Sequence, residues 1–97
     1  MATLLIIDDE TVLRETLSEL FTMVGHKVVE AADGLDGLEK VKVSKPDLII
    51  CDIMMPKLDG YGFVEQLKKN RLHKYSRVIF NCKNRISRPT KGYFIRC

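Results

Sequence analysis

The sequence is short of long apolar runs and of cysteine, and both shortages exclude classes of protein. The longest apolar runs, Leu4–Ile7 and Leu48–Cys51, have four residues each, whereas a membrane-spanning helix needs about 20. The N-terminus also lacks the basic start and apolar stretch of a secretory signal, so we expect a cytoplasmic protein with no membrane contact. The three cysteines, Cys51, Cys82 and Cys97, are too widely spaced for a disulfide framework or a C-x-x-C site. Cys51 is therefore predicted to be a small buried hydrophobe.

Acidic residues are missing from the C-terminal segment 76–97, which carries six lysines and arginines. Residues 1–75 carry ten basic and 13 acidic residues, so the net charge of +3 averages two unlike segments. A basic segment can bind nucleic acid through phosphate contacts. This one has no helix-turn-helix pattern and little aromatic content, and we expect no direct nucleic-acid binding.

Residues 3–80 alternate between strand and helix patterns, whereas residues 81–97 show neither. Four strands are predicted, two of them continuous apolar runs typical of strands buried on both faces: Thr3–Asp8, Lys27–Ala31, Leu48–Asp52 and Val78–Phe80. Three helices between them are indicated by apolar faces: Leu13, Leu17, Leu20, Phe21 and Val24; Leu35, Leu38 and Val41; Phe63, Val64 and Leu67. The order predicts an α/β fold with a doubly wound parallel sheet.

Two of the buried strands end in acidic residues, Asp8 and Asp9 after the first and Asp52 after the third. If these strands are neighbours, the three carboxylates converge at the carboxyl edge of the sheet, where such folds bind ligands. Their mutual repulsion would be relieved by a hard cation such as Mg²⁺. Asp52 would then be placed to accept a phosphoryl group. Structural alternatives stay open: Asp8 and Asp9 as helix caps, Asp52 as a loop-entry residue, and Asp59 as turn chemistry.

The segments Ile6–Glu10 and Asp47–Gly60, the second containing D-x-M-M-P-x-x-D-G, strongly resemble the response regulator receiver domain of two-component systems. The resemblance covers about residues 3–80 and implies a flavodoxin-like receiver fold. It implies that Asp52 is the phosphoacceptor and that Asp8, Asp9, Asp52 and the backbone carbonyl of Met54 bind Mg²⁺. It further implies a phosphohistidine donor on a sensor histidine kinase or a phosphotransfer protein.

The chain departs from the family pattern after about residue 80. Cys82 stands where a receiver has Ser or Thr, and a thiol is a weak donor; bulky Lys83 follows in place of a small residue. Lys91 comes too soon after Cys82 to match the family's phosphate-reading lysine. We therefore expect a receiver domain at 3–80, incomplete at its C-terminal end, and an atypical basic tail at 81–97 of out-of-frame or degenerate origin. One sheet face would keep only the first helix, which favours weak stability and self-association.

Two leading functions remain as hypotheses, besides the disfavoured nucleic-acid binding through the basic tail. The first is a phosphoacceptor signalling domain, not an independent enzyme, whose switching is impaired by truncation. The second is an interaction or decoy module that keeps the receiver fold but does not switch. A metal-dependent hydrolase is disfavoured because the sequence offers no recognisable general base.

Overall fold

The computed structural model describes residues 2–53, 57–72, 76–81 and 94–96. In chain order, the described elements are β1 (Thr3–Ile7), α1 (Thr11–Met23), β2 (Lys27–Ala31), α2 (Gly34–Ser44), β3 (Leu48–Asp52), α3 (Gly60–Lys69), β4 (Arg77–Asn81) and β5 (Phe94–Arg96). None of the helices in these ranges has the length and apolar character that a membrane crossing requires.

All strands pair in parallel, in the order β2-β1-β3-β4-β5. Successive strands step from β1 outward to β2, back past β1 to β3, and on to β4, so the order reverses between β1 and β3. This is the doubly wound arrangement, with its switch point between β1 and β3. The predicted fold class is confirmed.

Helices α2 and α3 cover one face of the sheet and build the main core with it. Leu38 and Val41 from α2 pack with Phe63, Val64 and Leu67 from α3 against alternate residues of the strands, including Leu5, Ile7, Ile49, Cys51, Val78 and Phe80. Alternation explains this set because every second strand residue points to the same face. The predicted apolar faces of both helices are confirmed at these positions.

The opposite face carries α1 and is less well covered. Leu4 and Ile6 are buried there, but Ile50 and Ile79 are only half-buried, and α1 itself contains no buried residue. Leu20 and Val24, predicted to face the core, are 54% and 73% exposed. The prediction was wrong for both because periodicity identifies an apolar face without showing what lies against it.

Leu35, assigned to the apolar face of α2, is 52% exposed and is a second correction. It is the second residue of α2, where the helix has just begun at Gly34. Gly34 packs closely against the loop before α3, since a Cβ on Gly34 would collide with the Leu58 carbonyl oxygen.

The sheet also extends beyond the predicted strands. β4 runs from Arg77 to Asn81, and β5 pairs with its last three residues, Ile79 with Phe94 and Asn81 with Arg96 at the two ends. No strand pattern was found in this part of the sequence because a three-residue edge strand is held by backbone hydrogen bonds and has no measurable periodicity. The connection between β4 and β5 lies outside the described residues.

Candidate functional site

The switch point brings the ends of two strands side by side. β1 and β3 pair directly, with Ile7 opposite Cys51. Asp8 follows Ile7 and Asp52 follows Cys51 in sequence. Because parallel strands end at the same edge of the sheet, these two aspartates leave it together.

Asp8, Asp9 and Asp52 each offer a carboxylate oxygen, and these three oxygens lie within 4.8 Å of one another. Asp8 and Asp52 are buried, with 2% of their surface exposed, while Asp9 is exposed. The predicted convergence of the three carboxylates is confirmed as geometry. We call this group the acidic site.

Backbone and side-chain hydrogen bonds hold Asp8 on two sides. Its N–H donates to the Ala31 carbonyl at 3.1 Å, which extends the ladder between β1 and β2 by one residue. Its Oδ1 accepts from the Glu10 N–H at 2.9 Å. The N-cap position of α1 is occupied by Glu10 rather than by Asp8 or Asp9, and the Glu10 side chain makes no capping bond.

Asp8 makes a further hydrogen bond through its backbone carbonyl, and the donor is a residue that sequence reasoning missed. Arg14 Nη1 donates to this oxygen at 2.7 Å, and Arg14 Nε donates to Glu30 Oε1 at 3.0 Å. A signal was present in the sequence, since Arg14 lies three residues before Leu17 and seven before Phe21, on the apolar face of its helix. A charged residue at such a position indicates a partner at the sheet.

The loop after β3 is closed tightly beside Asp52. The Gly60 N–H donates to the Ile53 carbonyl at 2.8 Å. Asp59 is the N-cap of α3, and its Oδ1 accepts from the Gly62 N–H at 2.7 Å. Asp59 therefore has the local structural role that the sequence left open, as a helix cap.

Lys57 and Asp33 connect this loop to the start of α2, a contact that the sequence did not reveal. Lys57 adopts a φ of 68°, and its Nζ lies 3.6 Å from Asp33 Oδ2. Asp33 caps α2 by accepting from the Asp36 N–H at 2.9 Å. This hydrogen bond, followed by the charge of Lys57, lowers the pKa of Asp33 below its ordinary value.

Cys51 is fully buried beside the acidic site, as predicted, and its Sγ donates to the Asp52 carbonyl at 3.3 Å. Burial raises the pKa of the Cys51 thiol well above its ordinary value, and the negative charges of Asp52, Asp8 and Asp59 raise it further. The thiol is therefore an inert packing group.

Several sequence-based assignments lie outside the described residues. These are the Met54 backbone carbonyl as a metal ligand, the loop residue Pro56, and the C-terminal departures Cys82, Lys83 and Lys91. Their roles stay predictions.

Comparison with known families identifies the family to which this fold belongs. The family model of the response regulator receiver domain matches residues 4–91, and the chain belongs to this family. The match passes the predicted boundary near residue 80, so the extent of the domain and the character of the segment 81–97 stay predictions.

Individual relatives agree with this family. The chain is 44% identical over 66 residues to the probable transcriptional regulator ycf27 of Cyanophora paradoxa, covering 68% of this chain and 28% of that protein. It is 41% identical over 75 residues to Protein PilG of Pseudomonas aeruginosa, covering 77% of this chain and 56% of PilG. The chain thus spans well under two thirds of either relative.

Among solved structures, the chain is similar to the response regulator protein TrrA of Thermotoga maritima, in complex with Mg²⁺ and BeF. The two share 30% sequence identity with a TM-score of 0.77, over 87% of this chain and 71% of TrrA.

Proposed function

We propose that this chain is a phosphoacceptor in a two-component phosphorelay, with Asp52 as the residue that receives the phosphoryl group. The observation that supports this most directly is the acidic site itself. Asp52 ends β3 at the switch point, with carboxylates of Asp8 and Asp9 beside it. A buried carboxylate at such a position can act as a nucleophile in covalent catalysis.

The donor set of the acidic site fits Mg²⁺, which we propose is held by Asp8, Asp9 and Asp52, with the Met54 carbonyl as a further ligand. Three carboxylates within 4.8 Å repel one another, and two of them are buried. Hard divalent cations prefer oxygen ligands, and Mg²⁺ is commonly bound by a few carboxylates together with phosphate oxygens. The Mg²⁺–BeF complex of TrrA, a member of the same family, is consistent with this assignment.

The proposed reaction is a phosphoryl transfer from a phosphohistidine on a sensor histidine kinase or phosphotransfer protein. An Asp52 carboxylate oxygen forms a bond to phosphorus while the phosphorus–nitrogen bond breaks, and the electron pair returns to the imidazole, which takes up a proton from solvent. The bound cation offsets negative charge on the transferred group. The chain acts as a signalling module rather than as an independent enzyme.

Phosphorylation adds about −1.5 to −2 charges at neutral pH, which is enough to move neighbouring loops when a relay is present. Cys82 occupies the sequence position where the family has a hydroxyl residue, and we propose that the switch is impaired here. A chain that accepts phosphate without a change of conformation would instead be the non-switching interaction module.

Acetyl phosphate with Mg²⁺ tests the proposal on the full chain. We expect a gain of one phosphoryl mass that is removed by hydroxylamine and is absent from Asp52→Asn. Asp47→Asn is the matched control, since Asp47 is an exposed aspartate at the opposite end of β3, where its Oδ2 accepts from the Thr3 N–H at 2.9 Å. An adduct that persists in Asp52→Asn, or no adduct in the folded parent chain, would refute the assignment.

Two-dimensional NMR of the chain with and without beryllofluoride then distinguishes a switching phosphoacceptor from a non-switching interaction module. Shifts confined to residues around the acidic site indicate a non-switching module, whereas shifts that extend along β4 indicate a working switch.

Self-association through the face that carries α1 stays a prediction. Val12, Met23 and Val24 on or beside this helix are 72%, 81% and 73% exposed, and Ile50 and Ile79 of the sheet below are half-buried. Sedimentation velocity at increasing concentration measures it, with Val24→Gln expected to weaken any association.

A further inference from the structure

Arg14 connects three parts of the fold at the edge of the acidic site. Its side chain is only 15% exposed. From the first turn of α1 it donates to the Asp8 carbonyl after β1 and to the Glu30 carboxylate on β2. Burying a guanidinium in this way is costly unless its donors are paired, so its position calls for a reason beyond packing.

The bond to the Asp8 carbonyl constrains the peptide that joins Asp8 to Asp9. The peptide unit is planar, so fixing its oxygen also fixes the direction of its N–H and of the Asp9 Cα. Asp8 is also held by hydrogen bonds of its N–H and its Oδ1. The Asp9 side chain, in contrast, is exposed. The Arg14 bond therefore restricts where the exposed carboxylate of the acidic site is presented.

Electrostatics gives the opposite expectation for the same residue. A cation near the acidic site repels a bound metal ion, so a purely electrostatic role predicts that removing Arg14 strengthens metal binding. Glu30 lies 3.0 Å from Arg14 Nε and offsets that charge. The sign of the effect on metal affinity thus separates positioning from charge.

We propose that Arg14 is a positioning residue for the cation site, acting through the Asp8 carbonyl to orient the Asp8 and Asp9 carboxylates toward one ion. This inference rests on the proposed Mg²⁺ site. Groups that orient metal ligands typically contribute about 10- to 100-fold to metal affinity. The forked guanidinium reaches the Asp8 carbonyl and Glu30 at once, which a lysine ammonium at this position cannot reproduce.

The test is a titration with Mg²⁺ alone, followed by the amide NMR signals of Glu10 and Gly60 in the folded full chain. We expect Arg14→Met to raise the Mg²⁺ dissociation constant about tenfold or more, and Arg14→Lys to raise it by less. Glu30→Gln is the matched control: it removes the counter-charge but leaves the bond from Arg14 to Asp8, so we expect a smaller rise in the dissociation constant than in Arg14→Met.

Each outcome decides the matter. Arg14 variants that bind Mg²⁺ as tightly as the parent chain, or more tightly, overturn the positioning role. If Arg14→Met does not give a dispersed spectrum, the comparison of Arg14→Lys with Glu30→Gln carries the test.

The same titration distinguishes this inference from the proposed function. A folded parent chain that shows no Mg²⁺-dependent shifts overturns both. A parent chain that binds Mg²⁺ but is not phosphorylated refutes the phosphoacceptor role alone, and the Arg14 comparison still measures the positioning role.

Discussion

Gly60, the first residue of α3, lies so close to the end of β3 that a single methyl group there should disturb both stability and the acidic site. A Cβ on Gly60 would lie 2.8 Å from the Asp52 carbonyl oxygen, 2.9 Å from the Ile53 Cα and 2.7 Å from a ring carbon of Phe80. Two of these neighbours are backbone atoms and Phe80 is fully buried. The end of β3 or the start of α3 must therefore move.

Overpacking of this kind typically costs about 1–3 kcal/mol. The helix propensity gained from Gly to Ala is worth up to about 1 kcal/mol in a helix interior and less at a first position. We expect a net loss of about 1–2 kcal/mol for Gly60→Ala. For a domain of this size, that lowers Tm by roughly 5–15 °C.

Gly62→Ala is the matched control, two residues further along the same helix. Its Cβ would meet the Leu58 Cδ1 at 2.7 Å and the Asp59 Oδ1 at 3.2 Å, both side-chain atoms, and Leu58 is only partly buried. A rotation of Leu58 relieves that contact at little cost. We expect Gly62→Ala to be neutral or slightly stabilising.

Thermal unfolding by circular dichroism and the acetyl phosphate reaction measure the two consequences in parallel. Gly60→Ala should lower Tm and slow phosphorylation of Asp52, while Gly62→Ala should change neither by much. Equal Tm values for the two variants would refute the reasoning, because they would show that the backbone around Asp52 yields as easily as the Leu58 side chain.

Three further predictions follow from the described residues. Asp33→Ala should lower the free energy of unfolding by about 1 kcal/mol at pH 7 through loss of the α2 cap. Because the pKa of Asp33 is lowered in the folded state, its charged form stabilises the fold above the unfolded-state pKa, and this contribution is lost as pH falls through the folded-state pKa. Urea unfolding of both chains at pH 7 and pH 3 measures this difference. Phe63→Ala should cost about 3–5 kcal/mol because Phe63 is fully buried in the core, against a neutral Glu65→Ala in the same urea assay. Peptide-resolved alkylation should modify Cys51 only as fast as the chain opens, because its thiol is buried and its pKa is raised; rapid modification under native conditions would contradict this.

The strands were largely predictable from the sequence because each buried strand had a pattern of its own. Leu48–Asp52 and Lys27–Ala31 have the predicted bounds, and Thr3–Ile7 differs by one residue. A continuous apolar run between a helix end and an acidic residue leaves few alternatives to a parallel strand.

Contacts between elements were harder to predict. Leu20 and Val24 satisfy helical periodicity yet are exposed, since the sequence does not show how well a face is covered. The contacts of Arg14 with Asp8 and of Lys57 with Asp33 depend on side-chain reach across elements. Neither follows from spacing along one chain.

Within the acidic site, the positions of two carboxylates follow from strand pairing and the position of the third does not. Asp8 and Asp52 converge because β1 and β3 are paired with Ile7 opposite Cys51, so strand order and register alone bring them together. Asp9 lies one residue beyond Asp8, where strand pairing no longer fixes the backbone. The direction of the Asp9 side chain therefore depends on the orientation of the Asp8–Asp9 peptide. Since Arg14 holds that peptide through its carbonyl, the third carboxylate is placed by the helix rather than by the sheet. A receiver sequence with both acidic strand ends but without this contact would therefore be expected to keep its phosphoacceptor and bind its cation more weakly.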